Sequence, residues 1–227
     1  MTILDPTLSV PKFFQGRNRY DYWHADEVTH WSPQFRLYKK TFDISAALVG
    51  IAVLLPLSLL LLLLNPFLNP GPLFYRQERL GYRAEPFTMW KFRTMTAGDD
   101  RSRSAEDGVE AHRITRLGRV MRKLRIDELP NFINVLKGEM SVIGPRPDAA
   151  HHAREYAKVI PHYAQRFKVR PGITGLAQIE AGYAEGAKAT AVKAAYDQIY
   201  VETSCGRLDV YIALRTVGVM ATGFGAR

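Results

Sequence analysis

Residues Ile44–Leu64 read ISAALVGIAVLLPLSLLLLLL, 21 residues without a charge. At about 1.5 Å per residue, a helix of this length covers about 30 Å, the depth of a bilayer's hydrocarbon core. A buried helix of a soluble protein would be more amphipathic and less leucine-rich. The run therefore predicts insertion into a membrane, and its flanks bear on how. Arg36, Lys39 and Lys40 precede it, and Arg76, Arg79 and Arg83 follow it. Positive charge marks the cytoplasmic side, and here both ends carry it. Pro56 lies near the middle and can bend or break a helix. A helix that enters, breaks at Pro56 and returns to the same face satisfies both flanks. An ordinary single span is the alternative.

Upstream, residues 1–35 mix polar and aromatic side chains, including Tyr20, Tyr22, Trp23 and Trp31. They read either as a partly ordered tail or as a partner-docking segment. They lack the apolar core of a secretory signal peptide. Downstream, Asn65–Pro72 (NPFLNPGP) carries three prolines and a glycine. That composition ends the helix and lets the chain leave the membrane, with Phe67 and Leu68 still in the interface. Leu73–Met95 predicts two strands around a turn at Gly81–Glu85, since Phe87, Met89 and Trp90 suit a strand. Gly98–Ala111 (GDDRSRSAEDGVEA) is charged and aperiodic and predicts an exposed loop. From Arg113 to Ile126, apolar Ile114, Leu117, Met121 and Leu124 recur at helical spacing among six cations. Such a basic amphipathic helix binds an anionic membrane surface or lines an anionic site.

The 227-residue chain has 31 Lys and Arg against 22 Asp and Glu, a formal charge of +9. That balance calls for an anionic partner: a phosphate ligand, an acidic lipid or nucleic acid. Cys205 is the single cysteine, so no internal disulfide forms and a reducing compartment is expected. Zinc-type Cys/His spacing, a P-loop and a GxGxxG turn are all missing.

The chemistry concentrates in Arg122–Pro147, RKLRIDELPNFINVLKGEMSVIGPRP. Asp127 and Glu128 stand behind a run of cations, and Pro130 follows. A helix arriving through Arg122 should end or kink near Leu129. Gly144-Pro145-Arg146-Pro147 is a stiff turn that fixes where one arginine points. Three readings of the acid pair compete: a structural ion-pair element, ligands for Mg²⁺, or a nucleophile that forms an acyl-phosphate. Further on, His151–Gln165 predicts a helix. Arg166, Lys168 and Arg170 would share one face of an extended segment before the Pro171-Gly172 turn. Leu208–Met220 predicts an amphipathic helix on the membrane, anchored by Arg207 and Arg215.

DELPN, NVLKGEMSVIGPRP and VRPGITGLAQI, in this order from about Lys39 to about Val217, resemble the signature of bacterial sugar transferases. These are monotopic phosphoglycosyl transferases. The resemblance implies an α+β fold, helix-rich with a small antiparallel sheet, one re-entrant membrane helix-break-helix and interfacial amphipathic helices. It divides the chain into an extension (1–38), a membrane hairpin (39–71) and a cytoplasmic catalytic domain (72–227). It implies transfer of a phosphosugar from a UDP-sugar to polyprenol (undecaprenyl) phosphate at the cytoplasmic face of the bacterial inner membrane. In this scheme Asp127 is the nucleophile and Glu128 holds Mg²⁺. Lys91 of KFRTM, Arg122, Arg146 and Arg166 bind phosphates. Pro130, Pro145 and Pro147 shape the site, and Pro56 kinks the membrane helix. The partners are the UDP-sugar, the polyprenol phosphate and membrane lipids; a hydrophobic hairpin serves no nucleic-acid binder. Asp197 and Tyr200 fit the family's D-x-x-Y helix, expected to be structural. The chain departs from the family at Leu55, Ala111, Arg125 and Glu180-Ala181-Gly182. The sugar and the oligomeric state are not legible. The competing reading is a basic membrane-surface scaffold without chemistry, which needs the cations but not the acids, PRP or PGITG in fixed order.

Overall fold

A computed structural model describes residues 31–96, 110–182 and 186–222. The first helix, α1 (Pro33–Leu68), opens at Ser32. The Ser32 hydroxyl accepts from the Phe35 N–H at 3.1 Å, with Pro33 at the first helical position, where its missing N–H is harmless. The helix then runs uninterrupted through Pro56 and Pro66. The break expected at Pro56 is therefore not a reversal into two helices. A proline removes one backbone hydrogen bond, and here the helix is held from the side on both sides of that gap. Tyr20, Tyr22 and Trp23 lie outside the described residues, as does most of the loop expected at Gly98–Ala111.

Lys39, Asp43, Ala47, Gly50, Leu54, Leu61 and Asn65 are the buried residues of α1. Their spacings of three, four and seven place them on one stripe of the helix. The stripe packs along the rest of the protein. Ala47 joins Met89, Val135 and Met140, while Leu54 and Leu61 join Phe92 and Met121. The opposite face exposes Leu48, Val49, Leu55, Leu59, Leu62 and Leu63. Among the described residues α1 is the one helix long and apolar enough to cross a membrane, and only 22% of its most apolar window is buried. A helix so dry in sequence and so bare in structure needs an apolar surrounding other than this protein's own core.

Strands β1 (Phe74–Leu80) and β2 (Pro86–Phe92) form the expected antiparallel hairpin, with Tyr75 opposite Lys91. Helix α2 (Arg116–Lys123) begins at Thr115, whose hydroxyl caps the Gly118 N–H at 3.0 Å. It stops three residues short of Ile126, because Arg125 takes a left-handed conformation (φ 56°). A tight 3-10 turn, Ile126–Glu128, follows and carries both acids. Pro130 does not terminate the incoming helix as expected. Its φ of −60° suits a helix start, and it caps α3 (Asn131–Leu136).

A second pairing was not anticipated. β3 (Ser141–Ile143) and β4 (Gly172–Thr174) are parallel, with Ser141 opposite Gly172. Helix α4 (Ala150–Val159) is followed by a 3-10 segment at Tyr163–Lys168, so Arg166, Lys168 and Arg170 do not share a strand face. Arg166 is buried and Arg170 exposed. Helices α5 (Leu176–Glu180), α6 (Gly186–Thr203) and α7 (Gly206–Thr222) complete the fold. α7 buries Asp209 and Ile212 and exposes Val210, Leu214 and Val217, a second apolar face. The two residues of D-x-x-Y are structural: Asp197 pairs with Arg166 at 2.6 Å, and the Tyr200 hydroxyl donates to Asp209 at 2.9 Å.

Candidate active site

The 3-10 turn buries Asp127 and Glu128 side by side, each 8% exposed. Two buried carboxylates in contact repel, and the surroundings resolve the conflict unequally. Glu128 is clasped by the guanidinium of Arg146, with Nη1 on Oε2 at 2.9 Å and Nη2 on Oε1 at 2.6 Å. Arg125 stands 3.6 Å from Oε1. Burial alone would raise the Glu128 pKa, but Arg146 and then Lys91 outweigh it and hold it at about 2. Asp127 is left with the opposite shift. Burial, and then the charge of Glu128, push its carboxyl above the ordinary value, against the pull of Lys91, Arg146 and Arg122. Its Oδ1 is buried and accepts no hydrogen bond.

Besides Arg125, four cations surround this pair. Lys91, on β2, is lowered to about 8 by burial and by Arg146, against the pull of Glu128. Arg122, from the last turn of α2, donates Nε to the Thr94 hydroxyl at 2.9 Å. Arg146 also donates to the Ile173 carbonyl at 3.2 Å. Arg79 was read from the sequence only as a flanking charge. It is half-buried, and desolvation together with Arg146 brings it down to about 10. It donates to the Pro147 carbonyl at 2.8 Å and to Gln77, and its Nε is buried without a partner. The signal for it lay in YRQERLG, at the inward end of β1.

The turn that aims Arg146 is built by backbone contact between two distant motifs. The Gly144 N–H donates to the Thr174 carbonyl and the Gly172 N–H to the Pro145 carbonyl, both at 2.9 Å. A Cβ on Gly172 or Gly175 would run into the Gly144 backbone. GPRP and PGITG therefore need their glycines to lie against each other, and the buried Pro145 and Pro147 hold that geometry.

Arg166, expected among the phosphate binders, does not join the cations around the acid pair. It is 5% exposed, paired with Asp148 and Asp197, and it donates to the Arg146 carbonyl at 2.9 Å. Its face also lies on Tyr163, 4.7 Å away. With its donors so engaged, it positions Arg146 from behind. Asn134 does the same for Lys91: its amide donates to the Thr88 carbonyl at 2.7 Å and accepts from the Trp90 N–H at 3.3 Å. Asn131, in DELPN, is fully buried with neither amide atom bonded. Arg93 is a clamp on the chain leaving α1, donating to the carbonyls of Asn69, Pro70 (2.9 Å) and Pro72 (2.6 Å).

The assignment of Mg²⁺ to Glu128 meets an obstacle, since Arg146 occupies both of its oxygens. Among the described residues no group of three or more His, Cys, Asp or Glu gathers around a point. What remains is the buried, unbonded Oδ1 of Asp127. One carboxylate completed by phosphate oxygens of a substrate is a donor set Mg²⁺ accepts.

A helix-rich α+β protein, with one long exposed apolar helix and a buried acid pair set among cations, is the class these features define. The family model "Bacterial sugar transferase" matches residues 34–223, and the chain belongs to that family. It is 41% identical over 216 residues to UDP-N-acetylgalactosamine-undecaprenyl-phosphate N-acetylgalactosaminephosphotransferase of Aeromonas hydrophila, covering 93% of this chain and 51% of that protein. It is 40% identical over 188 residues to UDP-glucose:undecaprenyl-phosphate glucose-1-phosphate transferase of Caulobacter vibrioides, covering 82% and 70%. Exopolysaccharide production protein PSS of Rhizobium leguminosarum is 37% identical over 185 residues, covering 79% and 92%. The chain thus spans about half the length of the Aeromonas relative.

Proposed function

We propose that this chain transfers a sugar-1-phosphate from a UDP-sugar to polyprenol phosphate, releasing UMP, as a membrane step in exopolysaccharide or glycoconjugate synthesis. The observation that carries this reading is the asymmetry of the acid pair. Arg146 neutralises Glu128, and Asp127 keeps a buried, unbonded oxygen in the field of Lys91 and Arg122. A scaffold would leave that buried, unbonded oxygen unexplained, since such an atom is destabilising unless used. The names of the relatives supply the substrate class.

In this mechanism an Asp127 oxygen attacks the β-phosphorus of the UDP-sugar. A new O–P bond forms, and the bond from that phosphorus to the bridging oxygen breaks. UMP leaves with the bridging oxygen. An oxygen of polyprenol phosphate then attacks the same phosphorus, breaks the Asp127–phosphorus bond and restores the carboxylate. The raised pKa makes Asp127 a stronger nucleophile once ionised, while Lys91, Arg146 and Arg122 pull against that rise and offset repulsion from the diphosphate. Mg²⁺, held by Asp127 and the substrate, would further neutralise the leaving phosphate. Incubation with a panel of UDP-sugars, Mg²⁺ and undecaprenyl phosphate should release UMP with one or a few of them; no release with any sugar would overturn the assignment.

The same proposal places both ends of α1 on the cytoplasmic face. Lys39 near one end donates to the Ile143 carbonyl at 2.8 Å and to Asp209 at 3.0 Å. Asn69, just past the other end, donates to the Arg93 carbonyl at 2.8 Å. Two ends tied to one polar domain do not lie on opposite sides of a 30 Å hydrocarbon layer. Cysteines placed at Lys40 and Arg76 should both resist a membrane-impermeant thiol reagent applied from the periplasm; labelling of either one shows a full span.

A further inference from the structure

A cleft of about 310 Å³ lies between the start of α1 and the segment leading into β4. It shares no lining residue with the acid–cation site. One wall carries Arg36 and Lys40, four residues apart and so on one face of α1. The facing wall carries Lys168 and Arg170. Lys39 lies at the back, already paired with Asp209. Asp43 is the single carboxylate of the lining, and its Oδ1 accepts from the Ser141 hydroxyl and the Val142 N–H, both at 2.9 Å. Trp31 and Tyr82 close the rim. Beyond the Lys39–Asp209 pair, the lining carries Arg36, Lys40, Lys168 and Arg170 against the one carboxylate of Asp43, so the cleft is positive, and like charges gathered this closely favour an anion among them.

Its place in the fold says which anion. Beyond a lone exposed Leu37, the run of exposed residues that makes the apolar face of α1 starts at Ile44, one turn past Lys40. If that face sits in hydrocarbon, as proposed above, the cleft opens at the depth of lipid headgroups. Cations immediately beside a membrane helix attract anionic lipid heads. We infer that this cleft is a binding site for the phosphodiester headgroup of an anionic bilayer lipid, separate from the site of phosphosugar transfer. A lipid held there fixes the rotation of α1 about its axis, and so the height at which Asp127 meets its lipid substrate.

The test uses the full chain in a neutral detergent. Titration with dihexanoylphosphatidylglycerol should give a saturable change in tryptophan fluorescence that Trp31→Phe removes. Lys40→Glu with Lys168→Glu should weaken binding at least tenfold, while Lys40→Arg with Lys168→Arg retains it. If the glutamate pair lowers the melting temperature, the milder Lys40→Ala with Lys168→Ala should still weaken binding several-fold. UMP release, measured on the same samples in detergent, should persist in these variants, which separates failure of this inference from failure of the transferase reading. Equal binding of dihexanoylphosphatidylcholine would reduce the cleft to an apolar contact. Equal binding of inorganic phosphate would make it a free-anion site, and displacement by a UDP-sugar would make it part of the substrate site. Each of these three results overturns the inference, as does charge reversal without effect.

Discussion

With Asp127→Asn, mixing enzyme, UDP-sugar and Mg²⁺ without lipid is expected to give no UMP and no labelled protein. The unaltered chain should release UMP up to one equivalent and then stall, with the phosphosugar label on the peptide that holds Asp127. Asparagine is nearly isosteric, so the 3-10 turn should survive, but its amide is a poor nucleophile. Removing a nucleophile lowers turnover by about 10⁴-fold or more. The substitution also relieves the repulsion from Glu128 that helps push Asp127 up, so the folded protein should be no less stable. Direct attack by the lipid phosphate predicts a different pattern: UMP only after lipid is added, and no label. That result would falsify the covalent step while leaving the overall transfer intact.

The second large effect is expected at Arg146. Arg146→Met leaves Glu128 buried without its clasp, and breaking such a pair from one side costs about 3–5 kcal/mol. For a domain of this size that is a fall of roughly 10 °C in melting temperature. The pH dependence should change with it. Glu128 is held at about 2 in the folded chain, below its ordinary 4.5. Its contribution is therefore present above the unfolded pKa and is lost as the pH falls from about 4.5 toward 2. In Arg146→Met that acid-dependent loss should shrink, since the cause of the lowered pKa is gone. Arg146→Lys tests function apart from folding. It keeps the charge but not the planar fork, so stability should fall little while turnover drops by about 10²-fold. Near-normal turnover in Arg146→Lys would confine Arg146 to a structural role.

The sequence by itself determined the elements whose causes are local. An uncharged run of 21 residues is apolar however it packs, and the strand pattern around Gly81–Glu85 makes a hairpin from its own periodicity. The order of DELPN, GPRP and PGITG was enough to place the acids and Arg146 in one site. Tertiary structure decided what depends on which partner a group meets. Arg166 and Arg146 look alike in sequence, yet Asp148 and Asp197 claim the first and Glu128 the second. Pro56 suggested a break, but packing along the buried stripe keeps α1 continuous. Asp127 and Glu128 are neighbours with nearly the same chemistry. Only the placement of one guanidinium neutralised one of them and left an oxygen of the other without a partner, because the charge state of a buried carboxyl is set by the groups within a few ångströms of it.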